Sequence, residues 1–196
     1  MSFLYDECSL CEVVEHDDIA GFNCGDSDLN DFFTNDCFAY SEQLLGKTYC
    51  YRLKSDLSQV VCAFTLANAG IRVSDLPNAR RKKIETNIPH IKALKDYPAV
   101  LVARLGVSNL FHSKHIGSDA LEYIKYWFLE PRNKTGCRYV LVDAYNTNAT
   151  ISFYERNGFS TVFGSEQQEK ECRHLAQDVE LKTRLMYFDL MLAVSR

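Results

Sequence analysis

One stretch of the sequence combines features that suit the binding of a phosphate group. Ala99–Val107 is an almost continuous apolar run that predicts a strand buried on both faces, and a loop separates it from a helix predicted at 117–131. Backbone N–H groups at the start of a helix can bind an anion, and the helix dipole favours negative charge there. Gly117 permits close approach of a ligand, and Lys114 adds positive charge. Ordinary strand–helix connections share this pattern, so that alternative stays open.

A second stretch supplies a candidate catalytic side chain. Tyr139–Ala144 predicts another buried strand, and a helix over 148–157 ends at Gly158, a residue type that commonly terminates helices. Phe153 in this helix is explained by core packing. Tyr154 carries a phenolic hydroxyl that needs a hydrogen-bond partner when it is buried, or else faces a cleft.

Together these two stretches resemble the acetyl-CoA-binding region of the GCN5-related N-acetyltransferase (GNAT) family. The family pattern Gln/Arg-x-x-Gly-x-Gly/Ala falls on His112–Gly117. The family ending Tyr-x-x-x-Gly-Phe falls on Tyr154–Phe159 without a mismatch. The sequence departs from the first pattern at two positions, because His112 stands where Gln or Arg is usual and His115 replaces the first glycine.

The resemblance extends upstream of these motifs. Phe22–Gly25, followed by Leu29, Phe32 and a predicted hairpin, is similar to the opening of the GNAT branch that includes toxin acetyltransferases of toxin–antitoxin pairs. The similar region covers roughly residues 20–165. It implies an α/β fold with a mixed sheet, the acyl-CoA N-acyltransferase fold, in which helices cover both faces of a central, twisted and mostly antiparallel sheet.

The resemblance implies an enzyme that moves an acetyl group from acetyl-CoA to a primary amine by direct attack, without a covalent enzyme intermediate. Tyr154 would act as the general acid that protonates the departing CoA thiolate. The backbone of Leu105, Gly106 and Val107 would bond the pantetheine arm, and an N–H near Val107 would polarise the thioester carbonyl. The further coenzyme contacts implied by the resemblance are His112, Lys114, His115, Ile116, Gly117, Ser118 and, at the start of the second helix, Asn146.

Two questions stay open at this point. The general base could be Glu122, Asp143 or His112, or a chain of water molecules, and a solvated or structural charge explains each of these side chains equally well. The rival to an enzyme is a non-catalytic acyl-CoA-binding or regulatory module that kept the fold. The altered loop at His112 and His115 favours that rival, whereas Tyr154 favours catalysis.

The acceptor amine is also open. In the toxin branch the acceptor is the amino acid on a charged transfer RNA, and the basic run Arg80–Lys83 has the residue types that contact RNA phosphates. The formal net charge of −4 argues against a general nucleic-acid binder. A solvated helix face is therefore the simpler explanation of this run, and aminoacyl-tRNA is the alternative acceptor.

The bulk composition indicates a single domain over residues 1–196. The N-terminus lacks the charged and apolar regions of a signal peptide, and no apolar run is long enough to span a bilayer. We therefore expect a cytoplasmic protein with eight free cysteines, no membrane association and, as the family allows, a homodimer. Cys8-x-x-Cys11 has half the ligands of a structural zinc site and no second pair, so no metal is expected.

Hydrophobic periodicity and turn residues give the remaining elements. The predicted first strand is 11–15, and a helix over 28–43 is capped by Ser27 or Asp28. A hairpin of strands 48–53 and 59–67 follows, and then a helix around Arg80–Lys83. Beyond the two stretches described above, strands are predicted from 159 to 163 and from 183 to 191.

Overall fold

A computed structural model of the chain describes residues 2–86, 88 and 94–194. The strands are β1 (Cys8–Glu12), β2 (Lys47–Leu53), β3 (Val60–Arg72), β4 (Asp96–Val107), β5 (Tyr139–Tyr145), β6 (Ser160–Thr161) and β7 (Thr183–Asp189). The helices are α1 (Phe3–Glu7), α2 (Ser27–Asp31), α3 (Cys37–Glu42), α4 (Asn78–Glu85), α5 (Ile116–Leu129), α6 (Asn148–Arg156), α7 (Glu166–Cys172) and α8 (Met191–Val194). The described strands form one sheet in the order β1-β2-β3-β4-β5-β7-β6.

The sheet is built mostly from antiparallel pairs, which confirms the predicted α/β fold class with a mostly antiparallel sheet. The pairs β1–β2, β2–β3, β5–β7 and β6–β7 are antiparallel. The chain forms two compact units, an N-terminal unit of residues up to Asn68 with Val102–Trp127, and a C-terminal unit of Ala69–Leu101 with the residues after Trp127.

The N-terminal unit is organised by a helical segment that packs on β1 and β2. Asp26 caps α2, because its carboxylate accepts the Leu29 N–H at 3.0 Å. The turn Phe32–Asp36 then joins α2 to α3 with wider, π-type hydrogen bonding. This places the fully buried Phe33 in a cluster with Cys37 and Cys50, so aromatic and thiol side chains fill the core of this unit.

The C-terminal unit is organised around the β5–β7 ladder. All seven residues of β5 pair with β7, from Tyr139 opposite Asp189 to Tyr145 opposite Thr183. The fully buried Tyr139 donates its hydroxyl to the Ile84 carbonyl of α4 at 2.8 Å, as a buried phenol requires. The ladder and α4 are thereby joined in one core.

The sequence-based elements are largely confirmed, and the differences have local causes. β1 begins at Cys8 rather than at 11, because α1, which was not predicted, ends at Glu7. Asp26, not Ser27 or Asp28, is the cap of α2. The strand predicted from 159 to 163 is reduced to the two residues of β6, and the strand predicted from 183 to 191 stops at Asp189 before α8.

Further differences concern length and charge. β3 and β4 are longer than predicted, and the unpredicted α7 consists almost entirely of polar and charged residues, so it has no apolar period to reveal it. None of the described helices is long and apolar enough to cross a membrane.

Candidate functional site

The loop between β4 and α5 has an unusual backbone. Ser108 accepts a hydrogen bond from the Leu110 N–H, and a short 3-10 turn, Asn109–Phe111, follows. Ser113 and His115 then adopt left-handed conformations, with φ of 66° and 57°. The glycine of the GNAT pattern falls on His115, and this conformation is one that glycine adopts without steric cost. The backbone at His115 therefore has the conformation that glycine favours, although the residue is a histidine.

The main consequence of this shape is a row of free donors. Among the described residues, none accepts a hydrogen bond from the backbone N–H groups of 112 to 117. The first N–H that is used belongs to Ser118, which donates to the His115 carbonyl at 3.0 Å. Successive backbone N–H groups in a turn can form a concave anion site, and the positive end of the α5 dipole reinforces it. This arrangement suits a phosphate or pyrophosphate.

The side chains around the loop are predominantly cationic or neutral donors. The Lys114 ammonium lies 4.1 Å from the ring centre of Phe3 and 5.5 Å from that of Phe111. The His112 ring nitrogen Nε2 lies 3.0 Å from the Val107 carbonyl oxygen, which fixes the ring against the end of β4. Ile116 is 2 % exposed and belongs to the core, so only its backbone can contact a ligand. Gly117 and Ser118 are half-buried in the first turn of α5.

Helix α1 holds Lys114 in place, and sequence reasoning missed it. Ser2 donates its hydroxyl to the Asp119 carboxylate at 2.5 Å, and Tyr5 donates to the Asp119 carbonyl at 2.8 Å. These bonds attach α1 to the first turn of α5, and the Phe3 ring meets Lys114 in the loop just before that helix. No local pattern joins residues 3 and 114, so this contact could not be predicted from the sequence.

The end of β4 is packed closely by the loop that precedes α2. A Cβ atom at the buried Gly106 would lie 3.2 Å from both the Cys24 sulfur and the Phe22 ring, so a larger residue there would require these side chains to shift. Leu105 and Val107 are half-buried. Arg104, which belongs to neither sequence motif, lies 4.9 Å from the Phe32 ring, and its buried Nε has no hydrogen-bond partner within the described chain. A cationic residue inside an apolar strand is the pattern that could have revealed it.

In the C-terminal unit, Tyr154 is placed by the end of α6. Thr147 caps the start of this helix, and Gly158 ends it with φ of 83°. The Tyr154 ring contacts Phe153 and Phe159 edge-on, with ring centres 5.1 and 5.5 Å away. Burial raises the pKa of Tyr154 to about 12. Its hydroxyl makes no hydrogen bond to any residue that the structure describes, so it is available as a donor.

Asn146 and the candidate bases are held by structural partners. The Asn146 amide donates to the Leu181 carbonyl at 2.9 Å, which fixes the start of α6 next to β7. Asp143 forms an ion pair with Arg173 at 2.9 Å, and Glu122 pairs with Lys125 at 3.2 Å. The Asn146 amide and the carboxylates of Asp143 and Glu122 therefore all have partners within the protein. These contacts do not distinguish either carboxylate as the general base.

The basic run in α4 offers less free charge than its sequence suggests. Arg80 donates to the carbonyls of Thr161 and Val162, so it fixes the strand β6 to this helix. Arg81 pairs with Glu85 at 3.2 Å. Lys82 and Lys83 are exposed. Within the described residues, no group of three histidine, cysteine or acidic side chains could hold a metal ion.

Comparisons with known proteins show which fold this is. No protein-family model matches the sequence, and no curated protein matches it. Solved structures do match. A tyrosine-to-phenylalanine mutant of KacT superposes with a TM-score of 0.70 at 17% identity, covering 97% of this chain and 99% of that one. AtaT complexed with acetyl-methionyl-tRNAfMet gives 0.67 at 18% identity, covering 96% and 98%. AtaTR bound with acetyl-CoA gives 0.66 at 18% identity, covering 96% and 99%. This chain therefore has the fold of these proteins over almost its whole length.

Proposed function

We propose that this protein is an acetyl-CoA-dependent N-acetyltransferase. The observation that carries the proposal is the row of backbone N–H groups from His112 to Gly117, before and at the start of α5, that donate to none of the residues the structure describes. A pyrophosphate needs several donors and a positive field, and this loop supplies both without any metal. A solved structure of the same fold is described as AtaTR bound with acetyl-CoA, which supports this choice of ligand.

The proposed reaction is direct transfer to an amine. The neutral amine nitrogen attacks the thioester carbonyl carbon, the carbon–sulfur bond then breaks, and the amine gives up one proton. The sulfur leaves as the thiolate of coenzyme A and takes up one proton. The proposal assigns the coenzyme phosphates to the N–H groups and Lys114, the thioester carbonyl to an N–H near Val107, and the proton for the thiolate to Tyr154.

The raised pKa of Tyr154 bears on how it acts. At a pKa of about 12 the hydroxyl stays protonated at every physiological pH, so the acid form is always present. A thiol in water has a pKa of about 8.5, which makes full transfer from the phenol to a free thiolate uphill. Burial of the thiolate would raise its own pKa and narrow that difference. Tyr154 therefore acts as a hydrogen-bond donor to the sulfur as charge develops, with proton transfer following.

The acceptor is the second part of the proposal. A small-molecule or protein amine is the general case, and the amino group of an aminoacyl-tRNA is the specific one. The specific case is favoured by the shared fold with AtaT, whose structure is described as complexed with acetyl-methionyl-tRNAfMet. Lys82 and Lys83 are exposed cations that could contact RNA phosphates. An assay of both acceptor classes decides between them.

The test is a binding titration followed by a transfer assay. Calorimetry with acetyl-CoA is expected to show one site in the wild type and a Kd raised at least tenfold in Gly117→Asp, because the new carboxylate repels the phosphates. Gly136→Asp is the matched control, since Gly136 is exposed in open space and gains the same charge. Radiolabelled acetyl transfer is then measured to aminoacyl-tRNA and to primary amines.

The outcomes separate the rival functions. Binding with transfer to either acceptor supports the enzyme. Binding without transfer to any acceptor makes the protein an acyl-CoA-binding module, and equal binding by both aspartate variants removes the α5 loop from the site. No binding at millimolar acetyl-CoA overturns the proposal.

A further inference from the structure

Two cysteines lie directly opposite each other at the edge of the sheet. In the antiparallel β1–β2 pair, Cys11 is in register with Cys50. Both are free thiols, and their side chains belong to the same apolar cluster of the N-terminal unit. The two sulfurs are therefore on the same side of the sheet, and each is the other's cross-strand neighbour.

Neighbouring hydrogen bonds define the type of cross-strand site. The Val13 N–H donates to the Thr48 carbonyl, and the Lys54 N–H donates to the Glu7 carbonyl, each at 2.9 Å. Such pairs alternate along an antiparallel ladder, so Cys11 and Cys50 also form a hydrogen-bonded pair, with Cα atoms about 5.5 Å apart. Disulfides span Cα separations of about 4.4 to 6.8 Å. A disulfide also requires the Cβ atoms of Cys11 and Cys50 to lie somewhat closer together than they do in an undistorted antiparallel pair. Because β1 is the edge strand, it can shift to allow this.

The two thiols differ in a way that suits stepwise oxidation. Cys11 is half-buried and reachable by a small oxidant, whereas Cys50 is fully buried. The Cys50 thiol points to the Asp18 carbonyl at 3.8 Å. Burial raises the pKa of this thiol, and the positive charge of Arg52 acts in the opposite direction. Arg52 is itself held by Asp18 at 2.8 Å. A fixed cation thus lies next to the sulfur that would have to become a thiolate second.

We propose that Cys11 and Cys50 form a reversible oxidation site that closes to a cross-strand disulfide on reaction with a peroxide. The Cys11 thiolate attacks one peroxide oxygen, which breaks the O–O bond and gives the sulfenic acid with release of hydroxide. The Cys50 sulfur, on losing its proton, attacks the Cys11 sulfur and releases the second oxygen as water. In sum, two thiols are oxidised by two electrons, one peroxide is reduced, and an external dithiol reverses the step.

Formation of the disulfide would stabilise the N-terminal unit without any new non-covalent contact. The bond would enclose residues 12–49, which include α2 and α3, and would fix β1 to β2 covalently. A cross-link of this kind removes conformational freedom from the unfolded chain and so stabilises the closed form. The inference does not depend on the acetyltransferase proposal, because it uses no residue of the α5 loop.

The test is oxidation of the full-length protein by hydrogen peroxide, followed by intact-mass and peptide analysis. Reaction of one peroxide with one protein molecule is expected to lower the protein mass by about 2 Da. Digestion should then give a Cys11–Cys50 cross-linked peptide, which disappears on reduction with dithiothreitol. The oxidised protein is expected to melt several degrees higher than the reduced one. Cys11→Ser, at a half-buried position, is expected to abolish both changes, and Cys172→Ser is the matched control that keeps them.

The negative outcomes are equally specific. Growth of a species about 32 Da heavier at Cys11 without cross-linking would mean that Cys50 cannot reach the sulfenic acid, and would overturn the pairing. A cross-link that survives in Cys11→Ser would assign the oxidation to other cysteines. Cys50→Ala provides an independent check, since alanine keeps the buried position apolar.

Discussion

At the residue scale, Tyr154 is the side chain whose loss should be most specific to chemistry. Tyr154→Phe removes one hydroxyl, which makes no hydrogen bond to the described residues, and keeps the ring contacts with Phe153 and Phe159. We expect kcat to fall about 100-fold or more, as for loss of a general acid, while the Kd for acetyl-CoA and the melting temperature stay the same. Tyr126→Phe, at an exposed position on α5, is the control. An unchanged kcat would exclude Tyr154 from the mechanism.

The raised pKa of Tyr154 also fixes the shape of the pH profile. A hydroxyl with a pKa of about 12 remains protonated on the alkaline side of neutrality. We expect kcat to rise as the acceptor amine loses its proton and then to stay level up to about pH 10. A decrease in kcat between pH 8 and 9 that disappears in Tyr154→Phe would show that the Tyr154 phenol loses its proton in this range, contrary to the effect of its burial on the pKa.

At the scale of the elements, helix α1 is expected to influence coenzyme affinity although it lies far from the loop in sequence. Phe3→Leu removes the aromatic face under the Lys114 ammonium. A cation–π contact at an exposed site contributes up to about 1 kcal/mol, so the Kd for acetyl-CoA should rise by up to about fivefold. Acetyl-pantetheine, which lacks the nucleotide phosphates, should be used with the same KM by both proteins. Phe38→Leu, another half-buried aromatic change, is the control.

Helix α7 has a buried charge that fixes the C-terminal unit. The fully buried Glu169 carboxylate accepts from Arg184 at 2.7 Å and from the Leu185 N–H at 2.8 Å, and pairs with Arg173 at 2.9 Å. Glu169→Gln leaves two arginines without their shared anion, so we expect the free energy of unfolding to fall by about 3 kcal/mol. Glu166→Gln, exposed on the same helix, should change it by less than about 0.5 kcal/mol. Equal effects in urea denaturation would contradict this role.

Sequence patterns predicted the elements that carry strong periodicity. The apolar runs of β4 and β5 and the Gly158 end of α6 were all recognisable, because burial on both faces and helix termination leave local signatures. The short helices α1 and α7 lack such signatures, since their stability comes from distant partners such as Asp119 and Arg184. The same reason explains why the loop before α5 could be selected from the sequence as a candidate phosphate site, whereas the contact between Lys114 and Phe3 could not.

At the scale of the whole molecule, buried phenols and thiols are expected to limit stability in alkaline solution. Burial raises the pKa of Tyr139 to about 12 and that of Cys37 to about 11, above their values in the unfolded chain. Their contribution is complete below the unfolded pKa values and is lost as the pH rises above them, because the unfolded state releases its protons first. We expect a constant melting temperature from pH 7 to about 8.5 and a steady fall above about pH 9. A melting temperature unchanged to pH 11 would show that these groups ionise freely in the folded state.

The two ends of the sheet bear on how this protein behaves at high concentration. β1 has five residues and ends at Glu12, which pairs with Lys47 at 2.8 Å, and β6 at the other end has only two residues. An exposed sheet edge can template strand pairing with another molecule, and short or charged edges suppress it. Neither end offers a long apolar strand to a second copy, so concentrated solutions should resist edge-to-edge aggregation and fibril formation.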